Sequence, residues 1–293
     1  MDRTVPVYEC PILIWMVSLN RNYSKEEYDS CYSLVKECIT HVNIPYRPSD
    51  PDNFRNLLLA ILPLLMMRHR RIPRAQWRDC VTQWGKHWIE QDDLPPEKFM
   101  RSMIGYHLAK DSSLLGMVMT QGPQKNVINI GLGILMYKVP GRAPLSSYFE
   151  SQSHKLTPLE QASILAAPNP ESILRRLCTI LTLKSSYVMA IGRQTSAINL
   201  AGIEFDVDKR SATVEGQPLT GWEFRLFTAR IGVARGEAEP PQLIEEEYQC
   251  CTAFFRGCEG LRFVFFDNPG QLASWVQFVN IDQIIKVVPK LNA

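Results

Sequence analysis

The sequence as a whole carries no large excess of one charge. Its 32 basic and 30 acidic residues leave a net charge of +2 over 293 residues. A nucleic-acid-binding surface concentrates basic residues on one face, so nucleic acid is not an expected partner. The densest basic stretch, "RHRRIPR" at Arg68–Arg74, follows an apolar run. It is read as the C-terminal end of a helix, where the dipole favours cations. Paired cysteine motifs are also missing. The eight cysteines (Cys10, Cys31, Cys38, Cys80, Cys178, Cys250, Cys251 and Cys258) include no two CxxC pairs at zinc spacing. A chain of this size needs no disulfides to hold a core, so buried thiols in a reducing compartment are expected. Long apolar runs are absent too. "LLLAILPLLMM" at Leu57–Met67 contains Pro63 and is too short to cross a bilayer. The N-terminal segment lacks a basic leader region and a small-residue cleavage site, and Glu9 and Pro11 interrupt it. The expectation is a cytoplasmic protein without a membrane partner, and a monomer.

What is present is an ordinary globular composition, 45% hydrophobic and 21% charged. "PILIWMVSL" predicts a strand. Ser24 followed by Glu27 predicts a capping box ahead of a helix, and "SDPDNFRNLLLAILPLLMMRHRR" predicts a second helix. "WRDCVTQWGKHWI" is read as a strand pair around Gly85, and the proline-rich "DDLPPEKF" as a loop. Three strands are expected in "GYHLAKD", "SLLGMVMTQG" and "NVINIGLGILMYKV". Short helices follow in "APLSSYFESQS" and "TPLEQASILAA", the latter capped by Thr157. A long helix, "NPESILRRLCTILTLKSSYVMAIG", stops at Gly192. Strands follow in "AGIEFDV", "SATVE", "GWEFRLFTARI", "YQCCTAFFRG" and "LRFVFFD". Strands and helices recur in two similar passes. The fold class expected is α+β in two packed halves, residues 1–130 and 131–293, with a ligand in the groove between them.

Several stretches taken in order, "RNLLLAILPLLMMRHRRIP", "TQWGKHWI", "IGYHLAKDSSLLGMVM", "INIGLGILMYKVPGR", "LTPLEQ", the long helix, "AGIEFDV" and "GWEFRLF", resemble a fungal 4′-phosphopantetheinyl transferase of the surfactin-synthetase-activating type. The similarity runs from roughly Asn53 to Phe227. It implies a pseudo-twofold α+β fold that holds coenzyme A and magnesium between similar halves. The family's motif residues are largely replaced. Its magnesium-binding aspartate falls at Gly133. In the long helix its tryptophan falls at Leu181, its catalytic glutamate at Ser185 and its second lysine at Met189. Its phosphate-contacting histidine falls at Lys110, and the glycine-arginine pair of its coenzyme-binding helix falls at Leu59 and Ala60. Lys86, Asp111 and Lys184 remain. Magnesium takes hard oxygen ligands, and phosphoryl transfer rests on metal and positioning. The replacements therefore argue against carrier-protein loading, and they turn a pyrophosphate cleft into an apolar one.

On this reading Lys184, Ser185, Lys110 and Asp111 are the candidate catalytic residues, and no metal ligand is assigned. His107, Gly133, Leu181, Tyr187, Met189 and Lys86 are the candidate ligand contacts. Lys184 in an apolar surround is expected to have a lowered pKa, and Lys184→Met is expected to leave folding nearly unchanged. Glu160 is read as stabilising its own helix. His41, His69, His87 and His154 lack metal spacing and receive no site. Three functions stay open. One is a repurposed, cofactor-free biosynthetic enzyme that cyclises, condenses or isomerises a small apolar natural-product intermediate. Another is a residual transferase using coenzyme A and magnesium. The third is a non-catalytic scaffold for a carrier protein or synthase.

Overall fold

A computed structural model describes residues 11–291 other than 40, 93, 142, 193–197, 236–241 and 258. Cys10, Glu9 and Cys258, discussed above, lie outside the described residues. The chain opens with β1 (Ile12–Ser18), α1 (Lys25–Cys38) and α2 (Pro51–His69). Then come β2 (Trp77–Val81), β3 (His87–Gln91), α3 (Pro96–Ser102), β4 (Met103–Asp111) and β5 (Leu114–Gly122). The middle holds α4 (Gln124–Val127), β6 (Ile130–Met136), α5 (Leu145–Ser153), α6 (Pro158–Leu165) and α7 (Pro170–Ile191). Next are β7 (Ile203–Asp206), β8 (Ser211–Val214), β9 (Gln217–Pro218), β10 (Trp222–Arg235) and β11 (Gln242–Phe255). The end comprises β12 (Leu261–Phe266), α8 (Pro269–Leu272), β13 (Val276–Asn280) and α9 (Ile281–Ile285).

The local signals act as their chemistry requires. Ser24 accepts the Glu27 N–H while Glu27 accepts the Ser24 N–H, closing the capping box of α1. Thr157 and Glu160 do the same at α6. Asp50 caps α2, and that helix runs through Pro63 because the apolar face around it is buried in the core. Gly192 ends α7 at φ +66°, a left-handed conformation that favours glycine. The "DDLPPEKF" stretch departs from its reading as a loop. Pro96 enters the first turn of α3, where its missing N–H costs nothing. β10 and β11 also run longer than the apolar pattern suggests, because they pair with each other over 14 residues.

The described residues form a mixed α+β structure with three sheets. A six-stranded sheet has the order β13-β1-β5-β4-β3-β2, a four-stranded sheet β12-β10-β11-β6, and a small one β7-β8-β9. The first and last described strands meet in the first sheet, where β13 pairs in parallel with β1. One core packs α1, α2 and α9 on one face of that sheet. A second core fills the space between the two larger sheets, and a third lies between α5–α7 and β7–β12. The larger sheets are also joined by polar contacts along β4 and β6. The Leu132 N–H donates to His107 Nδ1 at 3.1 Å, and the Met136 N–H donates to Asp111 Oδ2 at 2.6 Å. These side chains, four residues apart, satisfy backbone donors on the outer edge of β6 that would otherwise be buried without partners. No described helix is long and apolar enough to cross a membrane.

Candidate functional site

Successive residues of a strand face opposite sides, so Gly131, Gly133 and Leu135 share the side of β6 that meets α7. The two glycines let the helix sit almost on the strand. A Cβ at Gly131 would lie 2.1 Å from the Ser186 carbonyl oxygen, and one at Gly133 would lie 2.6 Å from that of Thr182. Beside this contact a cleft of about 650 Å³ opens among β6, α5, α7 and residues 198–200. Ile134, Leu135 and Leu181 supply its apolar wall. Tyr148, Gln152, His154, Lys155, Ser185 and Asn199 supply its polar groups.

The long helix places the expected residues in different settings. Leu181 and Ser185, one turn apart, line the cleft and are half-buried. Lys184 borders it but is almost wholly enclosed. Its ammonium lies 2.6 Å from Glu160 Oε2, with both side chains at most 1% exposed. It also donates to the carbonyls of Lys155 at 2.7 Å and Leu200 at 2.9 Å. An ammonium has three donors, and all three are engaged. Burial lowers the Lys184 pKa and raises that of Glu160, while the pairing opposes both shifts. All of the Lys184 ammonium's contacts are thus within the fold. Glu160 does more than cap its helix: its second oxygen accepts the Phe205 N–H at 2.9 Å.

The other expected residues lie elsewhere. Tyr187 points into the third core, edge-on to Trp222 with ring centroids 4.9 Å apart. Met189 and Gly133 are not among the cleft-lining residues: Met189 is a turn beyond Ser185, and Gly133 is covered by Thr182. Lys86 runs its stem over Gly192 and donates to Asn129 Oδ1; burial brings its pKa down to about 8. Lys110 reaches Asp52 at 3.3 Å near the start of α2, an exposed contact of little energetic weight. Asp111 and His107 are held by β6. The His107 pKa falls to about 4, first through burial and then through His87. Asp111 still acts near the cleft: burial, Cys178 and Asp111 together raise the Tyr148 phenol to about 12. Tyr148 is therefore a protonated donor at neutral pH.

The cleft offers donors and cations. Lys155 contacts Gln152 Oε1 at 2.7 Å and forms no ion pair among the described residues. Among the described residues no carboxylate lines the cleft, so these walls offer none of the hard anionic oxygens that magnesium takes. Among the described residues, no group of three His, Cys, Asp or Glu side chains could hold a metal ion. Burial raises Cys178, and likewise Cys251, to about 12. Sequence reasoning missed Tyr148, His154 and Lys155, which come from one helix and the turn after it. The available signal was their position just before the capping box that aligns Glu160 with Lys184.

No family model matches the chain. The chain is similar to the 4′-phosphopantetheinyl transferase pptA of Paxillus involutus, with 28% identity over 181 residues. That match covers 60% of this chain and 66% of the relative's length. It supports a phosphopantetheinyl transferase-like relationship, and the mixed α+β architecture is consistent with one.

Proposed function

We propose that this protein is a diverged member of the phosphopantetheinyl transferase-like fold, with pseudo-twofold halves, that no longer loads carrier proteins. Its cleft takes a small, largely apolar natural-product intermediate without coenzyme A or a metal. The observation that carries this reading is the cleft wall: Leu135, Leu181 and Ser185 stand beside Tyr148, Lys155 and His154, with no carboxylate among the described residues. Such a wall can orient a substrate, donate hydrogen bonds to a developing oxyanion from Tyr148 and Lys155, and exchange a proton at His154. Cyclisation, condensation and isomerisation need no more than that. Because its protons are committed, Lys184 positions the cleft floor and does not act as a nucleophile.

The second reading is a retained transferase, favoured by the similarity to pptA. Incubation with coenzyme A, magnesium and an apo-carrier protein, followed by intact-mass measurement, separates the two. The proposal expects no gain of a phosphopantetheine arm. Loading at an enzyme-like rate overturns it and supports the transferase.

A further inference from the structure

A second cavity, of about 290 Å³, lies on the far side of the first sheet, between that sheet, the end of α1 and the middle of α2. Its body is apolar, with Val42, Leu59, Ala60, Pro63 and Leu108 among its walls. One end is built differently. Asp79, with its side chain only 9% exposed, receives the Tyr106 hydroxyl on Oδ2 at 2.7 Å. His41 Nε2 lies 3.2 Å from the same oxygen, and His87 Nδ1 lies 3.5 Å from Oδ1 and 3.2 Å from the Tyr106 hydroxyl. Three side chains from separate segments thus converge on one buried carboxylate at the mouth of an apolar chamber.

A buried carboxylate is normally paired with a cation or saturated with donors. No lysine or arginine pairs with Asp79 among the described residues. The nearby Arg74 is used on the carbonyls of Trp77 and Cys38 and lies over the Trp77 ring. Two imidazoles and a phenol satisfy the carboxylate instead. Burial and the Asp79 charge keep Tyr106 protonated, so its hydroxyl is committed to Asp79. Each imidazole turns one nitrogen to Asp79. His87 Nε2 and His41 Nδ1 make no hydrogen bond among the described residues. A carboxylate that fixes one nitrogen of an imidazole makes the other a directed acceptor.

We propose that this chamber is a second ligand site, for a small apolar molecule ending in a phenolic or enolic hydroxyl that donates to the Asp79-held imidazoles. A hydroxyl fits the free acceptor nitrogens. A carboxylate head would bring a second negative charge against Asp79, and a hydrocarbon would leave the imidazoles unsatisfied. The site is separate from the α7 cleft and does not depend on the function proposed for it.

Calorimetric titration with 2-naphthol, 2-naphthoate and naphthalene tests the assignment. The expected result is that 2-naphthol binds the wild-type protein at least about tenfold more tightly than either of the others. His41→Ala and His87→Phe should bring 2-naphthol down toward naphthalene. Ala60→Phe, which fills the chamber, should abolish 2-naphthol binding, and Leu181→Trp in the α7 cleft should not. Melting curves establish that each variant is folded, and the three-ligand comparison on the wild type stands even if a variant is not. Equal binding of 2-naphthol and naphthalene, tighter binding of 2-naphthoate, or loss of binding in Leu181→Trp alone would overturn the proposal.

Discussion

Lys184 Nζ and Glu160 Oε2 lie 2.6 Å apart with both side chains enclosed, and this pair ties α7 to α6. Glu160 extends the tie to β7 through Phe205, and Lys184 extends it to the turns at Lys155 and Leu200. Removing one member of such a pair leaves the other charge buried without compensation, which costs about 3–5 kcal/mol. Lys184→Met is therefore expected to be strongly destabilising, contrary to what stem volume and helix propensity alone suggest. Adding Glu160→Gln should recover part of the loss, because the amide keeps an acceptor for Phe205 and carries no charge. Urea denaturation of the wild type, the single variant and the double variant measures this. Unchanged stability of Lys184→Met would mean that the pair contributes nothing net.

His107 makes the junction of the two larger sheets sensitive to acid. Its neutral Nδ1 accepts the Leu132 N–H, and its pKa is about 4, against about 6.5 for an unperturbed imidazole. Between those values the unfolded chain binds the proton and the folded one does not, so stability rises with pH in this window. The contribution is fully present above pH 6.5 and is lost as pH falls through 6.5 toward 4. Its size is on the order of 3 kcal/mol. His107→Gln can still accept the N–H but does not titrate. The difference in unfolding free energy between wild type and His107→Gln should therefore narrow or reverse as pH falls from 7 to 4. Parallel pH profiles for the two proteins would remove His107 from the account.

Gly133 cannot be converted back into a metal ligand by a single change. A Cβ there meets the Thr182 carbonyl oxygen at 2.6 Å and Thr182 Cγ2 at 3.0 Å. Overpacking of this kind costs about 1–3 kcal/mol, and a buried carboxylate adds to that. Gly133→Asp, alone or with Ser185→Glu, is expected to lower Tm by several degrees and to gain no stabilisation from millimolar magnesium. Ser185→Glu alone faces the cleft and should fold. Thermal melts with and without magnesium chloride check both statements. A magnesium-dependent rise in the double variant would mean that the helix can move off β6.

Much of the fold was legible because its signals are local. Ser24 with Glu27, Thr157 with Glu160, the Gly85 turn and Gly192 each sit within a few residues of what they control. α3 was missed because two prolines look like a loop when the first precedes a helix and the second begins it. The strand β13 and helix α9 lie past the last element read, and their role depends on pairing with β1, far away in sequence. Leu181 and Ser185 were singled out by the resemblance to the transferase's helix motif, and both line the cleft. The partner of Lys184 is 24 positions away, and the Asp79 cluster draws on four separate segments with no common period. Which side of β6 faces the helix decided Gly133, and only the packing of α7 reveals how closely it is covered.

The α7 cleft makes a prediction that separates ligand binding from a scaffold role. Leu181 and Ser185 are half-buried and face the open space, so a larger side chain there can extend into the cleft without displacing the core. A ligand present at a hundred times its Kd stabilises the folded state by about 2.7 kcal/mol. For a chain of this size that amounts to a Tm rise of several degrees, at about 2–4 °C per kcal/mol. A thermal-shift screen of small apolar metabolites that carry a carbonyl but no phenolic or enolic hydroxyl, and so are not ligands of the Asp79 chamber, should thus find compounds that stabilise the wild-type protein. Leu181→Trp should melt near the wild type and lose those shifts, whereas Ala60→Phe, in the other chamber, should keep them. Tyr148→Phe should weaken the shifts only for compounds with an oxygen acceptor, because it removes one donor and leaves the apolar wall intact. Shifts that survive Leu181→Trp would put the ligand outside the cleft. A screen without a single shift, alongside stable binding of a carrier protein or synthase that Leu181→Trp does not disturb, would replace the enzyme reading with a scaffold.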